Sequence, residues 1–225
     1  MGKNGSVVLE RVESFLLECF KKGISPLRYF SIEYLGDLIQ SDSEELRSTL
    51  AKSLCYGDTR AVPLLVGLSR DEEELVRLEA IDSLINYPCE ESYLTFCNGT
   101  NDESDLVRAY SFWGLSVASG EKYIHDARMR LRTAAIAEHD PRMLVDIYAG
   151  LYILGDKERL DDLMELFDEG NYLVKCAVIH TLEEIATEDN IDRLMLFLES
   201  KQFGDNGYAV SLTVRNVYHY LRSRF

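Results

Sequence analysis

The chain has 225 residues, 46% of them hydrophobic and 28% charged, and its 39 Asp and Glu outnumber its 24 Lys and Arg for a formal net charge of −15. Such a composition can bury a core and stay soluble, and its charge repels nucleic acid wherever no basic patch forms locally. No window holds the ~18 consecutive apolar residues of a membrane span, and the N-terminus MGKNGSVVLERVESF becomes charged before a secretory run can develop.

The expectation is a cytoplasmic protein, monomeric when free, with no membrane or nucleic-acid partner. Gly2 and Ser6 fit a short myristoylation pattern, but a cloning remnant fits it equally well. The five cysteines, Cys19, Cys55, Cys89, Cys97 and Cys176, are odd in number, irregularly spaced and without C-x-x-C. That pattern argues for reduced thiols packed as small apolar residues, and against a disulfide framework or a zinc knuckle.

The first predicted helix runs from Ser6 to Lys22, with Val8, Val12, Phe15, Leu16, Cys19 and Phe20 on one stripe, and Gly23 and Pro26 end it. Helix pairs follow at 27–40 with 43–55, 59–69 with 72–87, 90–97 with 102–118, and 121–137 with 141–154. Asp140-Pro141 is a helix start with proline in the first turn. Leu160, Leu163, Met164 and Phe167 then align with Ile191, Leu194, Met195 and Leu198 at a separation of 31. After QFGDNG, read as a flexible insertion, comes a last helix from about Tyr208 to Arg222.

One phrase recurs through these pairs. Leu46-Arg47 leads to Leu54, Val76-Arg77 to Leu84, Val107-Arg108 to Leu115, Met143 to Leu151, and Val174-Lys175 to Leu182. These anchors are 30, 31, 36 and 31 residues apart. A period in this range marks stacked helix pairs. The first helix lacks the phrase and the last matches it loosely at Val210. The chain therefore reads as one domain, with an N-terminal cap at 1–26, repeats at 27–203 and a C-terminal cap at 204–225.

AVPLLVGLSRDEEELVRLEAIDSL carries a family likeness through Val62-Pro63-Leu64-Leu65, Asp71, Val76-Arg77, Ala80, Ile81 and Leu84. It resembles the HEAT repeats, in particular the short HEAT-like repeats also found in phycobilisome lyases. The resemblance implies an all-α, right-handed α-solenoid of about six antiparallel helix pairs plus an N-terminal capping helix. It implies that Arg47, Arg77, Arg108 and Lys175 form a structural ladder to the carboxylates or carbonyls of the turns. It also implies that the second helix of each pair lines a concave face.

Six residues after each anchor that face holds Lys52, Asp82, Trp113, Ala149, His180 and Asn216; nine residues after, it holds Ile85, Ser116, Tyr152, Glu183 and His219. Asp82, Trp113, Tyr152, His180, Glu183 and Glu184 are the expected partner-binding groove, since aromatic residues among carboxylates suit protein recognition. Trp113 could equally pack between repeats. His125, His139, His180 and His219 show no paired-ligand spacing, so neither a metal nor a cofactor is expected. Acidic pairs such as Asp161-Asp162 and Glu183-Glu184 arise readily among so many acids. Arg128, Arg130, Arg132 and Lys122 form the densest basic stretch, but alternate residues spread around a helix.

No phosphate loop or nucleophile motif occurs, so catalysis is not expected. The leading expectation is a non-catalytic binder of a basic protein, such as an immunity protein masking a bacterial toxin. The alternatives are a scaffold or adaptor in a larger assembly, a tetrapyrrole lyase-like protein and, against the charge balance, a HEAT-like DNA glycosylase.

Overall fold

The computed structural model describes residues 3–202 and 206–225, with side chains from residue 8 onward. Gly2 and residues 203–205 of the expected insertion lie outside the described residues, as does the Ser6 side chain. Among the described residues the chain is all helical, with no strand. Among the described residues no helix is long and apolar enough to cross a membrane.

The chain divides into two compact units, Met1–Ile124 and His125–Phe225. The first holds α1 (Lys3–Lys21), α2 (Ile32–Leu38), α3 (Glu44–Ser53), α4 (Val62–Leu68), α5 (Glu74–Leu84), α6 (Glu90–Gly99) and α7 (Asp105–Ala118). Helix α8 (Gly120–Ala137) carries the boundary. The second unit holds α9 (Pro141–Ile153), α10 (Arg159–Glu169), α11 (Tyr172–Glu184), α12 (Ile191–Lys201) and α13 (Tyr208–Arg224).

In the first unit α1 packs on α3, α3 on α5 and α5 on α7, while α4 and α6 pack beside them. In the second, α9 packs on α10 and α11, and α13 on α11 and α12. The anchors Leu46, Val76, Val107, Met143, Val174 and Val210 are all buried. So are the residues four further on: Leu50, Ala80, Ser111, Ile147, Val178 and Val214. This one-sided stripe, repeated helix after helix, is what drives the packing. Local chemistry fixes the starts, for the side chains of Ser31, Ser43, Ser104, Asp140 and Asn171 each accept a backbone N–H of the first turn.

Two places depart from the sequence reading. The expected helix over 27–40 is split into a 3-10 turn at Pro26–Arg28 and the short α2. Ser31 caps α2, and the Phe15 ring meets both Tyr29 and Phe30 edge-on, at 5.2 and 5.5 Å, holding the bend between them. The helix expected over 59–69 likewise opens with a separate 3-10 turn at Thr59–Ala61, which Asp58 caps.

The basic residues after the anchors tie turns together. Arg47 donates from Nε and Nη2 to both oxygens of Asp71, at 2.7 and 2.9 Å, and from Nη1 to the Ser41 carbonyl at 2.6 Å. Arg77 repeats this on Asp102 at 2.9 and 3.0 Å, and its Nη1 donates to the carbonyls of Asp71 and Glu72. Each of these aspartates also caps the next helix start, accepting from Glu73 N and Ser104 N. Arg108 bonds its own turn instead: the carbonyls of Asp102 and Glu103, and the Asp105 carboxylate. In the second unit Lys175 donates to Asn206 at 3.0 Å.

Gly114 permits the contact of α6 with α7, for a Cβ there would lie 2.5 Å from the Phe96 ring. Five residues after the anchor, four second helices bury Ala51, Ile81, Phe112 and Ile179. On α13 the same position is Arg215, exposed in one stripe with Leu212, His219 and Arg222.

Candidate functional site

The expected groove residues fall in both units. In the first, Asp82 is exposed on α5 and Trp113 is half-buried on α7. Near Asp82, Lys52 of α3 pairs with Glu79 at 3.1 Å while standing 5.2 Å over the Phe20 ring. Burial, then the Glu79 charge, push the Asp82 carboxyl upward, and Lys52 offsets only part of this.

In the second unit Tyr152 is buried and its ring faces inward rather than onto a groove. Its hydroxyl accepts from Asn190 Nδ2 at 2.8 Å, and Lys157 Nζ stands 4.2 Å over its ring. Asn190 also donates to the Ile185 carbonyl and accepts from Thr187 N, so it knots the loop after α11 onto Tyr152. The loop after α11 covers Tyr152 through Asn190, whereas Glu183, equally nine residues from its anchor, stays half-buried. Positions three, six and ten after the anchor share another side.

That other side carries two acids whose carboxyls are pushed upward. Asp146 lies three residues after Met143 on α9, and Glu184 lies ten after Val174 on α11. Asp146 is half-buried and makes no hydrogen bond or ion pair among the described residues. Burial, then the charge of Glu184, push its carboxyl up to about 7. Glu184 still reaches water but is crowded enough for burial to push it upward; Glu183 adds to the rise and His180 opposes it. His180 is exposed, with Nδ1 4.0 Å from the half-buried Glu183. The four residues make an acidic face across α9 and α11, with no Lys or Arg paired to it among the described residues.

Most acids elsewhere that meet a cation in this unit are spent on it. Asp156 holds Arg132 by two 2.9 Å bonds, Asp162 holds Arg159 at 2.5 Å, and Asp161 and Asp168 pair with Arg193 and Lys201. The densest basic stretch is similarly occupied, with Lys122 on Glu90 and Arg130 on Asp126. Asp146 and Glu79 are the residues that counting six and nine from the anchors missed. Both lie three residues after an anchor, on the side that position ten reaches two helical turns later.

The five cysteines are free thiols. Among the described residues no group of three or more His, Cys, Asp or Glu is placed to hold a metal ion. Set against known proteins, the chain matches no family model, and no curated protein matches it.

Proposed function

We propose that the chain is a HEAT-like repeat protein whose second-helix faces bind a basic protein partner without catalysis. The observation that carries the reading is the acidic face of α9 and α11. Asp146 loses hydration beside the Glu184 charge and meets no Lys or Arg among the described residues. Such an arrangement costs the free protein stability. A Lys or Arg from a partner would relieve it and collect that cost as binding energy. His180 and Glu183 extend the face toward water, where charge steers encounter. The repeated anchors, and the Arg47–Asp71 and Arg77–Asp102 bridges, support the solenoid assignment.

One form of such a pairing is an immunity protein masking a basic toxin. The test is kinetic. A partner co-purified from the native host and identified by mass spectrometry should associate more slowly with the Glu183→Lys, Glu184→Lys double variant at low salt. The difference should shrink as ionic strength rises. Unchanged association at low salt would rule out this face as the partner surface.

A further inference from the structure

We infer that the second unit holds a separate site for a carboxylate carried on an apolar or aromatic body. The site is a cleft of about 640 Å³ between the C-terminal half of α8, helix α9 and the turn into α10. A volume of this order suits a small ligand or one chain end. Its apolar wall is Ala135, Ile136, Tyr148 and Leu151, and its polar wall is Arg132 and Gly155 through Arg159. Ile136 is 83% exposed, a large apolar side chain that no described element covers.

The cations here are positioned but only partly used. Arg132 is fixed edge-on by Asp156. Arg128, behind it, gives Nη2 to the Leu154 carbonyl, and its Nε lies 3.7 Å from the same Asp156. One carboxylate thus serves two guanidinium groups. Lys157 meets no carboxylate among the described residues and rests on the Tyr152 ring. Arg159 stacks 5.6 Å over the Tyr148 ring and spends only Nη1, on Asp162.

The Arg159 Nε is shut off from water with no acceptor, which is an expensive way to hold a donor. Its Nε–Nη2 edge is the fork that a carboxylate fits with two parallel bonds. A carboxylate in the cleft would be shared between Lys157 and the Arg159 guanidinium, whose reorientation would present the buried Nε. The uncapped N-terminus of α10 adds its positive end to this field. The apolar wall then receives the body of the ligand.

This site is independent of the acidic-face reading, because neither Asp146 nor Glu184 lines it. The ligand chemistry could come from a free aryl acid or from the carboxyl end of a polypeptide. The test is an amide NMR titration of the full chain with N-acetylphenylalanine, N-acetylphenylalaninamide, inorganic phosphate and a heptapeptide ending in free phenylalanine. The acid should shift the amides of Gly155 through Arg159. The amide analogue and phosphate should bind at least tenfold more weakly. Arg159→Ala and Lys157→Glu should each weaken the acid at least fivefold, and two variants guard against one failing to fold. Tighter binding of the heptapeptide assigns the site to chain ends, and equal binding assigns it to small acids. Equal binding of the amide analogue or of phosphate, or indifference to both substitutions, would overturn the inference.

Discussion

Arg77→Ala tests the bridge between successive turns. The guanidinium makes two bonds to Asp102, two to the carbonyls of Asp71 and Glu72, and a longer one to Glu103. Its side chain is 8% exposed and that of Asp102 is 14% exposed. Truncation leaves a nearly buried carboxylate without its cation, which typically costs ~3–5 kcal/mol. Asp102 keeps the Ser104 amide and borders water, so the low end, ~3 kcal/mol, is the working figure. For a chain of this size that is a drop of ~6–12 °C in melting temperature.

The pH dependence makes the test specific. Burial raises the Asp102 carboxyl, but the Arg77 bonds, the Ser104 amide and the Arg77 and Arg108 charges outweigh it and hold the carboxyl below its ordinary value. A depressed acid stabilises the fold above its unfolded pKa of ~4 and loses that contribution as pH falls through the folded value. Circular-dichroism melts from pH 7 down to pH 2.5 should therefore converge for parent and variant at the acid end. A variant melting within 1 °C of the parent at pH 7, or a gap that does not narrow in acid, would refute the argument.

Asp146→Asn should stabilise the free protein. Its raised pKa means that stability falls as pH climbs from ~4 toward 7, by an amount on the order of 3 kcal/mol, and the variant should flatten that slope in urea titrations. Gly114→Ala drives a methyl into the Phe96 ring and should cost ~1–3 kcal/mol in chemical denaturation. Asn190→Ala removes bonds to Tyr152, Ile185 and Thr187 together and should cost ~2 kcal/mol, visible as lost amide protection over 185–191. Arg108→Ala, whose bonds stay within its own turn on a more exposed side chain, should cost less than Arg77→Ala under the same conditions.

The second helices were legible because each satisfies one rule repeatedly. An anchor, a residue four on and a residue eight on must all leave water, and Val76, Ala80 and Leu84 can do so together only on a helix. The break before α2 was not visible, and the expected helix ran unbroken over 27–40. The Tyr29 and Phe30 rings turn onto Phe15, a contact made across the α1–α2 connection and absent from any local pattern. The candidate face was half legible. His180, Glu183 and Glu184 came from counting along α11, whereas Asp146 acquires its meaning only once α9 lies beside α11. Tyr152 is buried because Asn190 holds the loop after α11 over it, a contact that counting along α9 does not show. The spare donors of Arg159 have no signature in sequence, since which acid a guanidinium meets is decided by packing.

The exposed stripe of Leu212, Arg215, His219 and Arg222 bears on crowding at high concentration. The equivalent positions of other helices, Ala51, Ile81, Phe112 and Ile179, are buried, and an apolar stripe left exposed there would favour pairing of two copies. Two guanidinium groups on α13 make that pairing electrostatically unfavourable against an identical stripe. Charge at a position that other helices fill with apolar side chains thus disfavours self-association through this stripe.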